Sequence, residues 1–381
     1  MTKKYELTDE IITLGDGTVL HRIRALKSFG DITKGDLGGW IEKEDNLSHN
    51  GNAWVYDNAK VYDDATICDN AKVYDDAEVY DNSCVCDDAC VCGDAKVYDD
   101  AKVYDNACVY DNAKVYDNAE VYGNGEVYGN ANISGNAKVY GNAEVYNNAR
   151  AYNNAKISGN AKVYNNAWVY DDAKVYGNAK VYNNAWVYNN AIVYNNAWVY
   201  DDACVSDNAK VSGNGRVYDN AKVYSNAKVA SNAKVYGNAK VYNNAEVYDN
   251  ARVYGNAKIY GNAIVNGETW VYGNANVGGK AKVSSNAKVY GETCILDGHI
   301  MGKVSLPYKD IFQYQCKESM LTAILTLDNR ILYTIDCQEN ITEENFLDRI
   351  YNGNGGLKNN PHREEYLRVI DCVKVYFKKW R

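Results

Sequence analysis

Between residues 52 and 297, small or aliphatic positions alternate with polar and aromatic ones on a six-residue cycle. The unit reads Ala-Lys-Val-Tyr-Asp-Asn. Its aliphatic slot recurs 41 times without insertion, at Val55, Val61, Ile67, Val73 and onward to Ile295, and only Ala151 breaks the aliphatic rule. Within Ala-Lys-Val-Tyr the alternation has the period of two that a strand requires, so Ala and Val face inward while Lys and Tyr face outward. Asp-Asn then makes a corner, because Asn, Asp and Gly tolerate the left-handed backbone of a sharp turn. With so short a period, each repeat buries its apolar edge only against its neighbours. The expected fold is therefore a one-dimensional all-β solenoid.

Residues 55–60, Val-Tyr-Asp-Asn-Ala-Lys, fit the motif aliphatic-x-x-Asn-small-x, as do nearly all later hexads. The pattern resembles the hexapeptide-repeat family of left-handed parallel β-helices, the LpxA-like superfamily. That resemblance implies the handedness and three hexads per triangular coil, hence between 13 and 14 coils. At about 4.8 Å per coil the rod would be roughly 65 Å long.

Composition marks three parts: a capping head at 1–50, the solenoid at 51–297 and an α+β tail at 298–381. No Leu, Phe or Pro occurs between Ser48 and Ile295, and both prolines, Pro307 and Pro361, follow the repeat. The ends of a solenoid are exposed strand edges that need covering. In the head, 5–14 and 18–26 flank a Gly15-Asp16-Gly17 turn and read as a hairpin. In the tail, 312–316, 320–327 and 330–336 read as strands, with Asp328-Asn329 as a turn. One helix is expected from Thr342 as N-cap to Asn352-Gly353. A second is expected from Asn360-Pro361, with Leu367, Ile370 and Val373 on its apolar face.

The head residues Arg22-Ile23-Arg24-Ala25-Leu26-Lys27-Ser28-Phe29-Gly30-Asp31, Gly35-Asp36-Leu37-Gly38-Gly39-Trp40 and Asn46-Leu47-Ser48-His49 resemble the start of YdcK-type hexapeptide-repeat proteins of bacteria and their prophages. Those proteins are often labelled acetyltransferases by analogy.

The net charge of −9 argues against non-specific nucleic-acid binding. Its distribution is uneven: residues 52–120 carry −12 and residues 121–297 carry +4. No apolar signal segment opens the chain and no run is long enough to span a membrane, so a cytoplasmic protein is expected. The eleven cysteines have no disulfide-framework spacing, because many take slots that Lys or Tyr holds elsewhere. Cys84, Cys86, Cys90 and Cys92 mimic a zinc pattern. However, adjacent hexads lie on different faces, so only column neighbours such as Cys68 with Cys86, or Cys90 with Cys108, could meet.

Folded on an 18-residue pitch, one face holds Tyr at 13 of 14 levels, including Tyr164, Tyr182 and Tyr200, with Cys92 as the exception. Stacked rings of this kind stabilise neighbouring coils, and they also offer a flat aromatic platform. Trp186, Ile192, Trp198 and Cys204 occupy consecutive outward slots, and Trp168 lies one coil from Trp186. A contiguous apolar belt of this kind marks a contact site for a protein partner or for self-association. Asp63, Asp81, Asp99 and Asp117 stack at one corner and form a candidate cation site.

Acyltransferases of the hexapeptide family use a His base beside a loop that interrupts the helix, with acyl-CoA bound between subunits. Here no His lies between His49 and His299 and no loop interrupts the hexads. An acetyl-CoA-dependent site would have to use His49 or His299, near the ends of the repeat. The sequence therefore favours a non-enzymatic scaffold or binding rod without a cofactor, with the acyltransferase as the alternative. His49 itself falls on the extrapolated aliphatic slot as a capping residue.

Overall fold

The computed structural model describes residues 3–296, 298–304, 308–315, 320–326, 328–335, 338–352 and 363–378. Asp297, Pro307, Cys316, Leu327, Asp336, Gly353, Asn360, Pro361 and His362 lie outside the described residues. The chain divides into two units, Met1–Asn208 and Ala209–Arg381.

The first unit opens with β1 (Tyr5–Thr13) and β2 (Val19–Ala25), an antiparallel hairpin with Tyr5 opposite Ala25 and Thr13 opposite Val19. Strand β3 (Leu37–Ile41) pairs antiparallel with β2 on one side and parallel with Lys60–Val61 on the other. It thus converts a hairpin into the first rung of a parallel ladder and covers the exposed edge. Gly38 and Gly39 permit this close approach. A Cβ would lie 2.5 Å from the Val55 carbonyl oxygen at Gly38 and 2.6 Å from that of Ala59 at Gly39. The head also buries Trp54, whose ring meets Phe29 and Tyr5 edge-on.

Beyond the head, the segments Trp54–Val55 to Cys204–Val205 pair in parallel with the segment eighteen residues away, Val55 with Val73 and Val61 with Val79. This gives a three-faced parallel β-solenoid. The inward Ala and Val side chains of each hexad are excluded from solvent, while Lys and Tyr are partly exposed. The ladder runs through both outward residues: Lys60 N–H donates to Ala77 and Tyr62 N–H to Val79. At each corner the first residue adopts positive φ, for example 55° at Asp63 and 57° at Asp117, and the second does not. Where Gly stands in that slot a Cβ would press on the next coil, which adds a packing reason to the conformational one.

One expectation fails at the start of the repeat. Ile41 pairs with Val61 and Leu47 with Ile67, each twenty residues away rather than eighteen. Leu47 therefore fills the aliphatic slot, and His49 lies in the two-residue surplus between Leu47 and the first regular hexad. There its Nδ1 accepts the Lys4 N–H at 3.2 Å and its ring sits 4.5 Å from that of Tyr5.

In the second unit the same parallel register runs from Lys210–Val211 onward. It tightens at the end, where His299–Ile300 pairs with Lys282–Val283 and Lys303–Val304 with Lys288–Val289. An antiparallel sheet follows: β4 (Tyr308–Gln315), β5 (Met320–Thr326), β6 (Ile331–Ile335) and β7 (Gln338–Thr342). Strand β7 has no counterpart in the expected elements, because Gln-Glu-Asn-Ile-Thr carries only one aliphatic residue. Helix α1 (Glu343–Asn352) follows Thr342, whose Oγ1 accepts the Asn345 N–H as an N-cap does. Helix α2 (Arg363–Phe377) buries Tyr366, Val369, Ile370 and Val373 against Tyr333 and Phe346. Leu367 is only partly buried at the margin of this core.

Candidate aromatic contact face

Consider the face of the first unit carrying Arg150–Ala151, Trp168–Val169, Trp186–Val187 and Cys204–Val205. Period-two alternation sends Trp168 and Trp186 outward in one column, and Tyr152, Tyr170 and Tyr188 outward in the next. The two indoles stack with centroids 5.1 Å apart. The tyrosines stack at 4.9 Å. The columns meet edge-on, Tyr152 against Trp168 at 6.1 Å and Tyr170 against Trp186 at 6.3 Å. Arg150 lies over the Trp168 ring at 4.9 Å. Trp186 is 42% exposed. Burial, first among its causes, raises the phenol pKa of Tyr152, Tyr170 and Tyr188.

Both corners bounding this face are grooves. One, of about 670 Å³, is lined by Asn147, Asn148, Asn165, Asn166, Asn183, Asn184 and neighbouring residues. The other, of about 700 Å³, is lined by Asn153, Asn154, Asp171, Asp172, Asn189, Asn190 and neighbours. Side-chain amides ladder along them: Asn147 donates to Asn165 at 2.7 Å, Asn165 to Asn183 at 3.1 Å and Asn183 to Asp201 at 2.7 Å. Across the second groove, Asn153 donates to Asp171 at 2.8 Å and Asn189 to Asp207 at 2.9 Å. These ladders hold the corner donors and acceptors in fixed rows. Only the repetition of Asn in the sequence hints at them.

Tyr164, Tyr182 and Tyr200 stack at 4.9 Å on the face across the first groove. Trp198 joins that face, its ring edge-on to Tyr182 and under the Lys180 ammonium. Ile192 stands on the third face, paired with Lys174. The aromatic residues thus converge around one corner, with Ile192 apart from them.

The corner aspartates use their carboxylates locally. Asp63 accepts the Asp81 N–H at 3.4 Å, Asp81 that of Asp99 at 3.3 Å, Asp99 that of Asp117 at 3.2 Å, and Asp117 that of Gly135 at 2.9 Å. Each carboxylate therefore serves the next coil instead of converging with its neighbours on one point. Among the described residues, the metal-ligating group that does converge is Cys68, Cys84 and Cys86. Although the cysteines lack a disulfide-framework spacing, Cys68 and Cys86, neighbours in one column and one coil apart, form a disulfide.

His49 is held in the head contacts given above. In the second unit, His299 is exposed and its Nε2 touches Ser284 Oγ.

The architecture is that of a parallel β-solenoid protein. A family profile, YdcK Beta solenoid repeat, matches residues 185–201 and 257–273. Over 62 residues the chain is 39% identical to a protein of Escherichia coli (strain K12) described as "Uncharacterized acetyltransferase YdcK". That match covers 14% of this chain and 19% of the relative, so the chain spans about a fifth of the length of the curated relative it matches. Over these stretches, what the chain resembles is a YdcK-type β-solenoid repeat. Among the described residues no helix is long and apolar enough to cross a membrane.

Proposed function

We propose that the chain is a non-enzymatic binding scaffold that engages a protein surface through the face bearing Trp168, Trp186, Tyr152, Tyr170 and Tyr188. The observation that carries this reading is the partly exposed, cross-braced aromatic face between two amide-lined grooves. Trp, Tyr and Arg dominate the energetics of protein contacts, and rigid rings lose little entropy when covered. A polar rim beside an aromatic centre is the anatomy of such a contact. Self-association is the first form to test. The solution mass of the wild type is compared with that of the Trp168→Lys/Trp186→Lys/Trp198→Lys variant. A multimer that falls to monomer supports the proposal, and an unchanged mass removes self-association. A cytoplasmic location belongs to this proposal.

A second reading, motivated by the description of the Escherichia coli relative as an acetyltransferase, is an acetyl-CoA-dependent acyltransferase using His49 or His299. A base must reach the proton it removes. Submillimolar acetyl-CoA binding that is lost on His49→Ala or His299→Ala would support this reading over the scaffold.

A further inference from the structure

Three sulfurs meet on the outer surface of the first unit, on the face that lacks the tryptophans. Cys84 takes a slot that Lys holds elsewhere, and Cys68 and Cys86 take slots that Tyr holds elsewhere. Parallel pairing of Ile67 with Val85 sets Cys68 beside Cys86. The period of two brings Cys84 to the same surface as Cys86, with their sulfurs 3.0 Å apart. All three sulfurs lie within 4.8 Å of one another, and each residue is partly buried.

We propose that reduction of the Cys68–Cys86 disulfide opens a three-thiolate site for one soft monovalent cation, copper(I), held by Cys68, Cys84 and Cys86. The disulfide form has one free thiol and the reduced form has three. In the opening step an external dithiol gives two electrons and two protons to the Cys68–Cys86 bond and becomes its own disulfide. In the binding step three S–H protons leave to solvent as three copper–sulfur bonds form, with no change in oxidation state.

Metal–sulfur bonds of about 2.3 Å around a trigonal ion put the sulfurs roughly 4 Å apart, within the spacing the ladder sets. Thiolate sets select copper(I), whereas zinc closes a tetrahedron with a fourth ligand. Lys102, paired with Cys84, offers no neutral donor but offsets the negative charge of three thiolates around a single positive ion. The nearby Asp87 carboxylate is occupied by the Asp105 N–H at 3.1 Å. In a reducing compartment, where disulfides are rare, the metal-ready form is the resting one.

Cys90, Cys92 and Cys108 form a separate thiol group around Tyr74, so the test is made in a full-length Cys90→Ser/Cys92→Ser/Cys108→Ser background. Copper(I) is titrated in competition with bathocuproine disulfonate, with the near-ultraviolet thiolate-to-copper band as a second readout. The phosphine-reduced protein is expected to take up one equivalent, and the oxidised protein none at the same chelator level. Cys84→Lys, which installs the usual occupant of that slot and preserves the fold, is expected to weaken uptake by about tenfold or more. Reduced protein that takes up no copper, Cys84→Lys that binds as its parent does, or zinc that displaces copper at equal concentration would overturn the proposal.

Discussion

Trp168 and Trp186, eighteen residues apart in sequence, lie with indole planes only 3° from parallel and centroids 5.1 Å apart. The ladder beneath them fixes this geometry by pairing Val169 with Val187. An aromatic pair contributes about 0.5–1.5 kcal/mol beyond area burial. Trp186→Lys should therefore cost no more than about 1.5 kcal/mol of stability in urea denaturation while abolishing protein contact at this face. A loss well beyond that would assign the pair to folding.

The corner at Asp117 makes two separable contributions, its positive φ of 57° and its carboxylate hydrogen bond to the Gly135 N–H. Asp117→Gly keeps the first and removes the second. Asp117→Val removes both and adds a branched side chain to a left-handed backbone. Urea denaturation should show Val more destabilising than Gly by about 1–2 kcal/mol. Equal losses would place the whole effect in the hydrogen bond.

Burial, followed by Tyr116 and the carboxylates of Asp99, Asp117 and Asp81, pushes the Tyr98 phenol up to about 12 from its ordinary 10.0. Tyr62 and Tyr80 in the same stack move the same way, again with burial first. The folded state holds these protons where the unfolded chain releases them. Their contribution is thus complete below pH 10.0 and is lost as pH rises toward about 12. Phenolate absorbance during alkaline titration should lag that of the urea-unfolded chain. Coincident curves would contradict the stacked, partly buried ladder.

Gly39 touches the first coil so closely that a methyl group would lie 2.6 Å from the Ala59 oxygen and 2.7 Å from that of Tyr56. Gly39→Ala should cost about 1–3 kcal/mol, the usual range for overpacking. The head should also separate from the solenoid, read as amide exchange at Trp40 and Ile41. Gly15→Ala, where a Cβ meets nothing, is the control.

The alternation of Ala and Val with Lys and Tyr was enough to read the solenoid and its three faces, because inward and outward positions follow directly from a period of two. The same periodicity misled at His49. Extrapolating six residues back from Val55 lands on it, but β3 approaches with two surplus residues, and only the contact of Leu47 with Ile67 reveals the shift. The Cys68–Cys86 pair lay in one column in plain view. Closure depends on the separation across the ladder, and local sequence does not encode that distance. Trp198 and Trp168 are thirty residues apart, and they meet the same corner only because the coil turns between them. The Asn-Asp slots were legible as turns, whereas their amide ladders arise only when coils stack.

The most direct test of the contact face places a photo-crosslinking residue at Trp186, at Lys174 on the third face, and at Lys114 lower on the tryptophan face, each in the full chain expressed in its host. A discrete protein adduct is expected from position 186, little from 174 and 114, and loss of the adduct in the Trp168→Lys background. Equal crosslinking from all three positions, or an adduct from 186 that survives Trp168→Lys unchanged, would contradict it.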